Sequence, residues 1–506
     1  MPIDTPAWVR DTVFYQVFPD RFAASQRVVK PGPLEPWDAP PTQAGYKGGD
    51  LIGLTERLDE LVDLGITGLY LNPIFSATSN HRYNAYDYLE VDPLLGGDAA
   101  FRELLDAAHA HGIRVILDGV FNHSGRGFWP FQHLIEAGLA SPYRDWFYLD
   151  GDVLDGQRGI DAYPVGWRDG THVRTGYRTW WGIPSLPKLR VENPGVREFL
   201  FGVAEHWLRF GIDGWRLDVP EEIEDESFWP EFRSRVRAIN PGAYLLGEIW
   251  NEAPEWLSGD RFDAVMNYPL GIAILGLVGG SELDGEVIAG QSNYARALVA
   301  IDGPAFGRRL EALMGLYDPD ITAVQFNLIG SHDTPRARTV MGGDATALRL
   351  ATLLQLTLPG APSIYYGDEL AMEGRADPDC RRAYPVTLDS AGPEGLPTRE
   401  LIRALLAARR DHVALRRGGV RVVAATDRAV AILREADGRR AIVAVNAGAA
   451  PVTLDMGADP VGGELAGLLG ASLRPLELPA VAAGTILEGG TAAMLPPQSA
   501  LVLVDD

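Results

Sequence analysis

Cysteine is nearly missing. Cys380 is the single one in 506 residues, so no disulfide can form within the chain. Dense runs of Lys or Arg are missing too: 45 basic residues stand against 68 acidic ones, a formal net charge of −23. Nucleic acid and anionic membrane surfaces attract basic patches, so neither is expected as a partner. No apolar stretch approaches the roughly 20 residues of a membrane span. The opening "MPIDTPAWVRDTVFYQVF" has no basic segment followed by an apolar leader core. One thiol and no leader fit a reducing compartment, and a cytoplasmic protein is expected. Composition is otherwise that of a globular chain, 46% hydrophobic and 22% charged, long enough for one large domain with smaller ones attached.

What the chain does have is a rhythm. Short β-branched or aromatic runs alternate with longer segments of helical period. The strand-like runs are "VFYQVF" (13–18), "ITGLYLNPI" (66–74), "RVILDGVFNH" (114–123), "IDGWRLDV" (212–219), "AYLLGEIW" (243–250), "FDAVMNYPL" (262–270), "AVQFNLIGSHD" (323–333) and "PSIYYGDEL" (362–370). Strands alternating with helices argue for a parallel sheet, and eight such units for a (β/α)8 TIM barrel of the α/β class. Residues 1–121 and 191–418 supply the two parts of that barrel. Between them, 122–190 is long, rich in Trp and Gly and weakly periodic, which predicts a small subdomain inserted after strand three. From Gly419 onward, short Val/Ala/Ile runs with turns such as "ADGRR" predict an antiparallel β domain over 419–506.

Polar residues gather at the C-terminal ends of the expected strands, where barrel chemistry sits. Strand three ends in Asp118, Asn122 and His123, strand four in Arg216 and Asp218, strand five in Glu248, and strand seven in His332 and Asp333. In "GWRLDV", residues two apart face the same way, so Arg216 and Asp218 share a side opposite Trp215, Leu217 and Val219. Taken alone, such a pair is a structural ion pair more often than not. Three carboxylates on different strands change the balance. Glycoside hydrolysis needs two flanking carboxyl groups, one to attack and one to protonate the leaving oxygen. Arg216 is expected to keep Asp218 ionised as a nucleophile. Glu248, near two other carboxylates and the apolar Trp250, is expected to have its pKa pushed up as a general acid. Metal-assisted hydrolysis is the rival chemistry, with His123, His332, Asp218 and Asp333 as ligands. The paired-histidine spacing such sites favour is absent from the strand ends, and "HAH" (109–111) falls in a helical pattern. No metal and no cofactor are expected for the reaction.

In order, "DGVFNH", "GWRLDV", "GEIW" and "GSHD" resemble the four signature segments of the α-amylase family of retaining glycoside hydrolases. "GGDL" (48–51) and "GAPSIYYGDE" (360–369) resemble two further segments. The resemblance implies a barrel with a subdomain B after strand three and a C-terminal β-sandwich. It implies Asp218 as nucleophile, Glu248 as general acid/base, and Asp333 as the third carboxylate, which binds sugar hydroxyls. Arg216, His123, His332 and Tyr83, the last in "HRYNAYDY", would contact the same sugar. Asp118 would hold Arg216, and Asn122 is either a scaffold residue or, as in many members, a calcium ligand.

Within the family, "TWWGIPSLPKL" and "DVPEE" (218–222) resemble segments of the cyclomaltodextrinase, neopullulanase and maltogenic amylase group. Glu222 matches the last residue of that group's D-V-A-N-E, and Glu222 and Trp250 are candidates for the acceptor side. Leu186, Arg190 and Pro220-Glu221 depart from the group's pattern, which leaves the preference between α-1,4 and α-1,6 linkages open. The group's extra N-terminal β domain has no counterpart ahead of strand one, so its usual dimer is not expected. "AASQRVVKPGP" stands where many members carry a G-D-x-x-N-D calcium loop, and no calcium is expected there. Implied is hydrolysis of α-1,4 bonds in cyclodextrins and maltooligosaccharides, with some action on α-1,6 bonds of pullulan. A transglycosylase or isomerase would share the first step. An inactive glucan-binding or assembly subunit would lack one of the carboxylates, and all three are present.

Overall fold

The computed structural model describes residues 3–149, 175–456, 473–487 and 492–505. Parts of the expected inserted subdomain (150–174) and of the C-terminal domain (457–472, 488–491 and 506) lie outside the described residues.

Eight strands, β1 (Phe14–Val17), β2 (Gly68–Leu71), β3 (Arg114–Gly119), β4 (Gly214–Leu217), β5 (Tyr244–Gly247), β6 (Ala264–Val265), β7 (Phe326–Asn327) and β8 (Ala361–Tyr365), form one parallel sheet. Each pairs with its sequence neighbour, and β8 returns to β1 with Phe14 opposite Ser363. A parallel bridge from Met266 to Phe326 joins β6 to β7 and closes the ring. The (β/α)8 barrel is what forms.

Period-two alternation sorts the side chains. Tyr15, Val17, Leu69, Leu71, Leu117, Trp215 and Leu217 pack outward against the helical layer. Phe14, Tyr70, Ile116, Tyr244, Leu246 and Phe326 point inward and fill the lower barrel as a separate apolar cluster, with Trp8 beneath Phe14 and Tyr244. One step further along the same inward rows the residues turn polar: Gln16, Asn72, Asp118 and Arg216, all at most 1% exposed. The apolar floor thus carries a polar layer at its C-terminal end.

Between β2 and β3 a two-stranded ribbon, Phe75–Ala77 with Ala85–Val91, brings Tyr83 over the barrel mouth. After β3, bridges His123–Lys188, Phe147–Leu189 and Thr179–Pro187 fold the described part of the insertion back on itself.

The C-terminal region contains the antiparallel strands β9 (Gly419–Thr426), β10 (Ala429–Ala436) and β11 (Arg439–Asn446), continued by Ser499–Asp505. Asp437 and Gly438, both at positive φ, make the tight turn expected of "ADGRR". A second antiparallel sheet, built from Val452–Asp455, Thr485–Ile486 and Ala492–Leu495, packs on the first through Leu433, Ile442, Leu454 and Leu495. Among the described residues, no helix is long and apolar enough to cross a membrane.

Candidate active site

Arg216 is the centre of the polar layer. Its side chain is fully buried, and one nitrogen, Nη1, donates to Asp118 Oδ1 at 2.7 Å and to Asp218 Oδ1 at 2.9 Å. Its other terminal nitrogen, Nη2, lies 3.0 Å from Glu248 Oε2 in an ion pair without the alignment of a hydrogen bond. Three carboxylates from three adjacent strands therefore surround one cation. The ladder holds them there. The Asp218 N–H donates to Gly119 O and the Glu248 N–H to Leu217 O, both at 3.0 Å, so each Cα is still tied to the neighbouring strand.

The chain leaves β4 abruptly. Val219 has φ +36° and ψ 54°, a left-handed conformation that is a genuine outlier for a β-branched residue. Val219 therefore does not continue the Trp215–Leu217 face as strand alternation implied. The bend aims its N–H at Glu248 Oε2, at 3.0 Å. Glu248 Oε2 is thereby approached by two positive groups.

The expected division of labour between the carboxyls needs correction. Burial pushes the Asp218 carboxyl well above the ordinary carboxylate value; Arg216 pulls it down, while Glu248 and Asp118 push it further up. Burial raises Asp118 as well, against Arg216. The cation was expected to serve Asp218 and leave Glu248 among carboxylates, but it touches all three. One charge cannot neutralise three buried ones, and desolvation outweighs its share at Asp218.

Asp333 completes the group. Its Oδ2 lies 3.0 Å from His332 Nε2 and its Oδ1 3.3 Å from Arg381 Nη2. Burial and then Glu248 push its carboxyl up to about 7, against Arg381 and Arg216. Burial, followed by the charges of Arg381 and Arg216, holds the His332 pKa well below its ordinary value, so the ring is neutral.

Tyr83 donates its hydroxyl hydrogen to Asp118 Oδ2 at 2.8 Å, and its ring lies parallel to that of His332. His123 is buried, with its pKa brought down to about 4 by desolvation. Its Nε2 faces the Tyr83 carbonyl at 3.1 Å, Asn122 Nδ2 meets its Nδ1 at 3.2 Å, and its ring stacks on Trp180. Trp250 stacks on Tyr268 with centroids 3.7 Å apart. Glu222 presents a half-exposed carboxylate 3.7 Å from Lys188 Nζ, which itself donates to the Glu222 carbonyl.

Asn122 Oδ1 is buried without a hydrogen-bond partner, yet among the described residues no cluster of three His, Cys, Asp or Glu side chains is arranged to hold a metal ion. A carboxylate cage of the kind calcium takes is not assembled around Asn122 by those residues.

The fold brings Tyr83, Arg216, Asp218, Glu248, His332 and Asp333 together at the C-terminal face of the barrel. Four participants had not been singled out from sequence. Gln16 and Asn72 reach His332 and Tyr83; Arg381 grips Asp333 and the His332 carbonyl; Lys188 grips Glu222. Arg381 follows β8 in "DPDCRR", and a pair of arginines beyond the last strand was the available signal. Gln16 and Asn72 are single amides in apolar strands, with no local pattern to mark them.

A profile described as "Alpha amylase, catalytic domain" matches residues 16–390. A cyclomaltodextrinase of Geobacillus thermopakistaniensis is 43% identical over 424 residues, 83% of this chain and 66% of the relative. This chain thus spans about two thirds of that relative's length. Among solved structures, Ttha1563 of Thermus thermophilus superposes with a TM-score of 0.86 at 44% identity, over 99% of this chain and all of the other. A debranching enzyme of Nostoc punctiforme superposes with a TM-score of 0.84 at 39% identity, over the whole of both chains.

Proposed function

This chain belongs to the α-amylase family, and from that membership we propose that it is a retaining glycosidase acting on small α-glucans. Its substrates are cyclodextrins and maltooligosaccharides, cut at α-1,4 bonds, with action on the α-1,6 bonds of pullulan. One observation carries the proposal: a single buried guanidinium touches both Asp218 and Glu248, so carboxyls from neighbouring strands converge at one point. Likeness to a protein named a cyclomaltodextrinase and to one named a debranching enzyme supports the two linkages.

The reaction needs Asp218 ionised and Glu248 protonated. With three carboxyls around one cation, the group retains a proton more readily than isolated acids. Arg216 donates an aligned hydrogen bond to Asp218, which offsets part of the burial that raises that carboxyl. Glu248 Oε2 faces Arg216 and the Val219 N–H, which leaves Oε1 as the oxygen to carry the proton the reaction needs. An Asp218 oxygen attacks the anomeric carbon while Glu248 Oε1 gives its proton to the glycosidic oxygen. The C–O bond breaks, and a glycosyl ester on Asp218 forms. Glu248, now a carboxylate, takes a proton from water, which attacks the same carbon and releases Asp218 with net retention. Asp333 and His332 bind hydroxyls of that sugar, and Arg381 keeps Asp333 in place. No step requires a metal or a cofactor.

The test is hydrolysis of β-cyclodextrin, pullulan and maltotriose by the purified chain beside Asp218→Asn, with the first product followed by NMR. Cleavage by the wild type alone, with the α-anomer appearing first, is expected. A β-anomer first, or equal rates for both proteins, would overturn the double displacement. Products longer than maltotriose would show transfer from the same intermediate.

A further inference from the structure

We propose that Gln16 is a positioning residue that holds His332 in the tautomer carrying its proton on Nε2. Gln16 is on β1, 1% exposed, and every polar contact of its side-chain nitrogen is to a neighbouring side chain. Nε2 lies 3.0 Å from Asn72 Oδ1 and 2.8 Å from His332 Nδ1. Asn72 Nδ2 lies 3.0 Å from Tyr83 Oη, and Tyr83 Oη lies 2.6 Å from His332 Nε2. Gln16, Asn72, Tyr83 and His332 thus form a closed ring of hydrogen bonds beneath the site.

Such a ring has two senses, and its anchor selects one. Asp118 Oδ1 accepts from Arg216, while its Oδ2 receives the hydroxyls of Tyr70 and Tyr83 at 2.7 and 2.8 Å. A carboxylate bonded to a guanidinium acts only as an acceptor, so the Tyr83 hydrogen points at Asp118. Its oxygen must then accept from the other two contacts. Asn72 therefore presents NH2 to Tyr83 and its carbonyl oxygen to Gln16. Gln16 in turn presents NH2, one hydrogen to Asn72 and the other to His332 Nδ1. Nδ1 is left as the acceptor, and the single proton of the neutral ring lies on Nε2, directed at Tyr83 Oη, with Asp333 Oδ2 3.0 Å away.

That polarity makes His332 a donor on the side where sugar hydroxyls would bind. An imidazole of the opposite tautomer would turn a lone pair toward the Tyr83 oxygen, whose only hydrogen is committed to Asp118, and the two acceptors would repel. The catalytic consequence rests on the glycosidase proposal; the tautomer itself does not.

The test is 15N NMR of the full chain labelled at histidine, with the His332 signals assigned from their loss in His332→Gln. Wild type should show an unprotonated Nδ1 and a protonated Nε2. In Gln16→Glu the amide donor becomes a carboxylate acceptor, so the proton should move to Nδ1. kcat should then fall about 100-fold, the order of effect of losing one aligned donor, with KM within about threefold. Gln16→Leu should give mixed tautomers and a smaller loss. A wild-type proton on Nδ1 would overturn the proposal without any variant, and so would an unmoved proton in a folded Gln16→Glu. Absence of glucan hydrolysis by wild type, with the Nε2 proton in place, would reject the glycosidase proposal and leave this one standing.

Discussion

Removing the charge of Asp218, the proposed nucleophile, should stabilise the protein. Asp218 is 6% exposed and its charge is favoured by Arg216, with charge centres about 4 Å apart, worth about 4 kcal/mol at an effective dielectric near 20. Asp118 and Glu248 bond or touch the same guanidinium. A carboxylate on that guanidinium repels a charged Asp218 by roughly 3 kcal/mol at that dielectric. Burial is the largest influence on Asp218, and with Glu248 and Asp118 pushing the same way it outweighs the pull of Arg216. Asp218→Asn keeps the shape and removes the charge. The sign follows from the raised pKa in the folded state. Stability contributed by the protonated Asp218 is complete below the unfolded-state value near 4, and is lost as pH rises through the raised folded value. Asparagine does not titrate, so it loses nothing. Asp218→Asn should match wild type near pH 4 and exceed it by about 1–2 kcal/mol at pH 8. Urea unfolding at pH 4, 6 and 8 measures this, with activity loss on the order of 10⁴-fold or more in the same preparation. A variant whose stability relative to wild type is flat with pH, or falls toward pH 8, would refute the electrostatic reasoning.

Glu248→Gln should lose about 10²–10⁴-fold on maltotriose yet retain the first step on an aryl glycoside whose leaving group needs no proton. Pre-steady-state release of the aryl group checks this, and equal loss on both substrates would remove Glu248 as the acid. Val219→Gly should stay within about 1 kcal/mol of wild type, since relief of left-handed strain offsets the chain entropy of glycine. Val219→Pro, which cannot adopt φ +36° and lacks the N–H that reaches Glu248, should lose about 3 kcal/mol or more. Thermal melts of the two variants separate these outcomes.

Local pattern was enough for the barrel and for the polar residues that gather at its mouth. Alternation with period two puts Arg216 and Asp218 on one side and Trp215 and Leu217 on the other, because adjacent residues in a strand must face opposite ways, and it misplaces Val219, where the strand has ended. The order of charged strand ends named the carboxylates for the same reason. What alternation cannot supply is register between strands about 100 residues apart. Asp118 stands opposite Arg216 only because β3 and β4 pair in that register. Whether one cation serves one carboxylate or three depends on that registration, and the direction of the Asp218 shift depends on enclosure by the whole barrel mouth. Gln16 and Asn72 acquire a role only through hydrogen bonds to residues 316 and 11 positions away. Their chemistry is that of any amide until the closed ring gives it a direction.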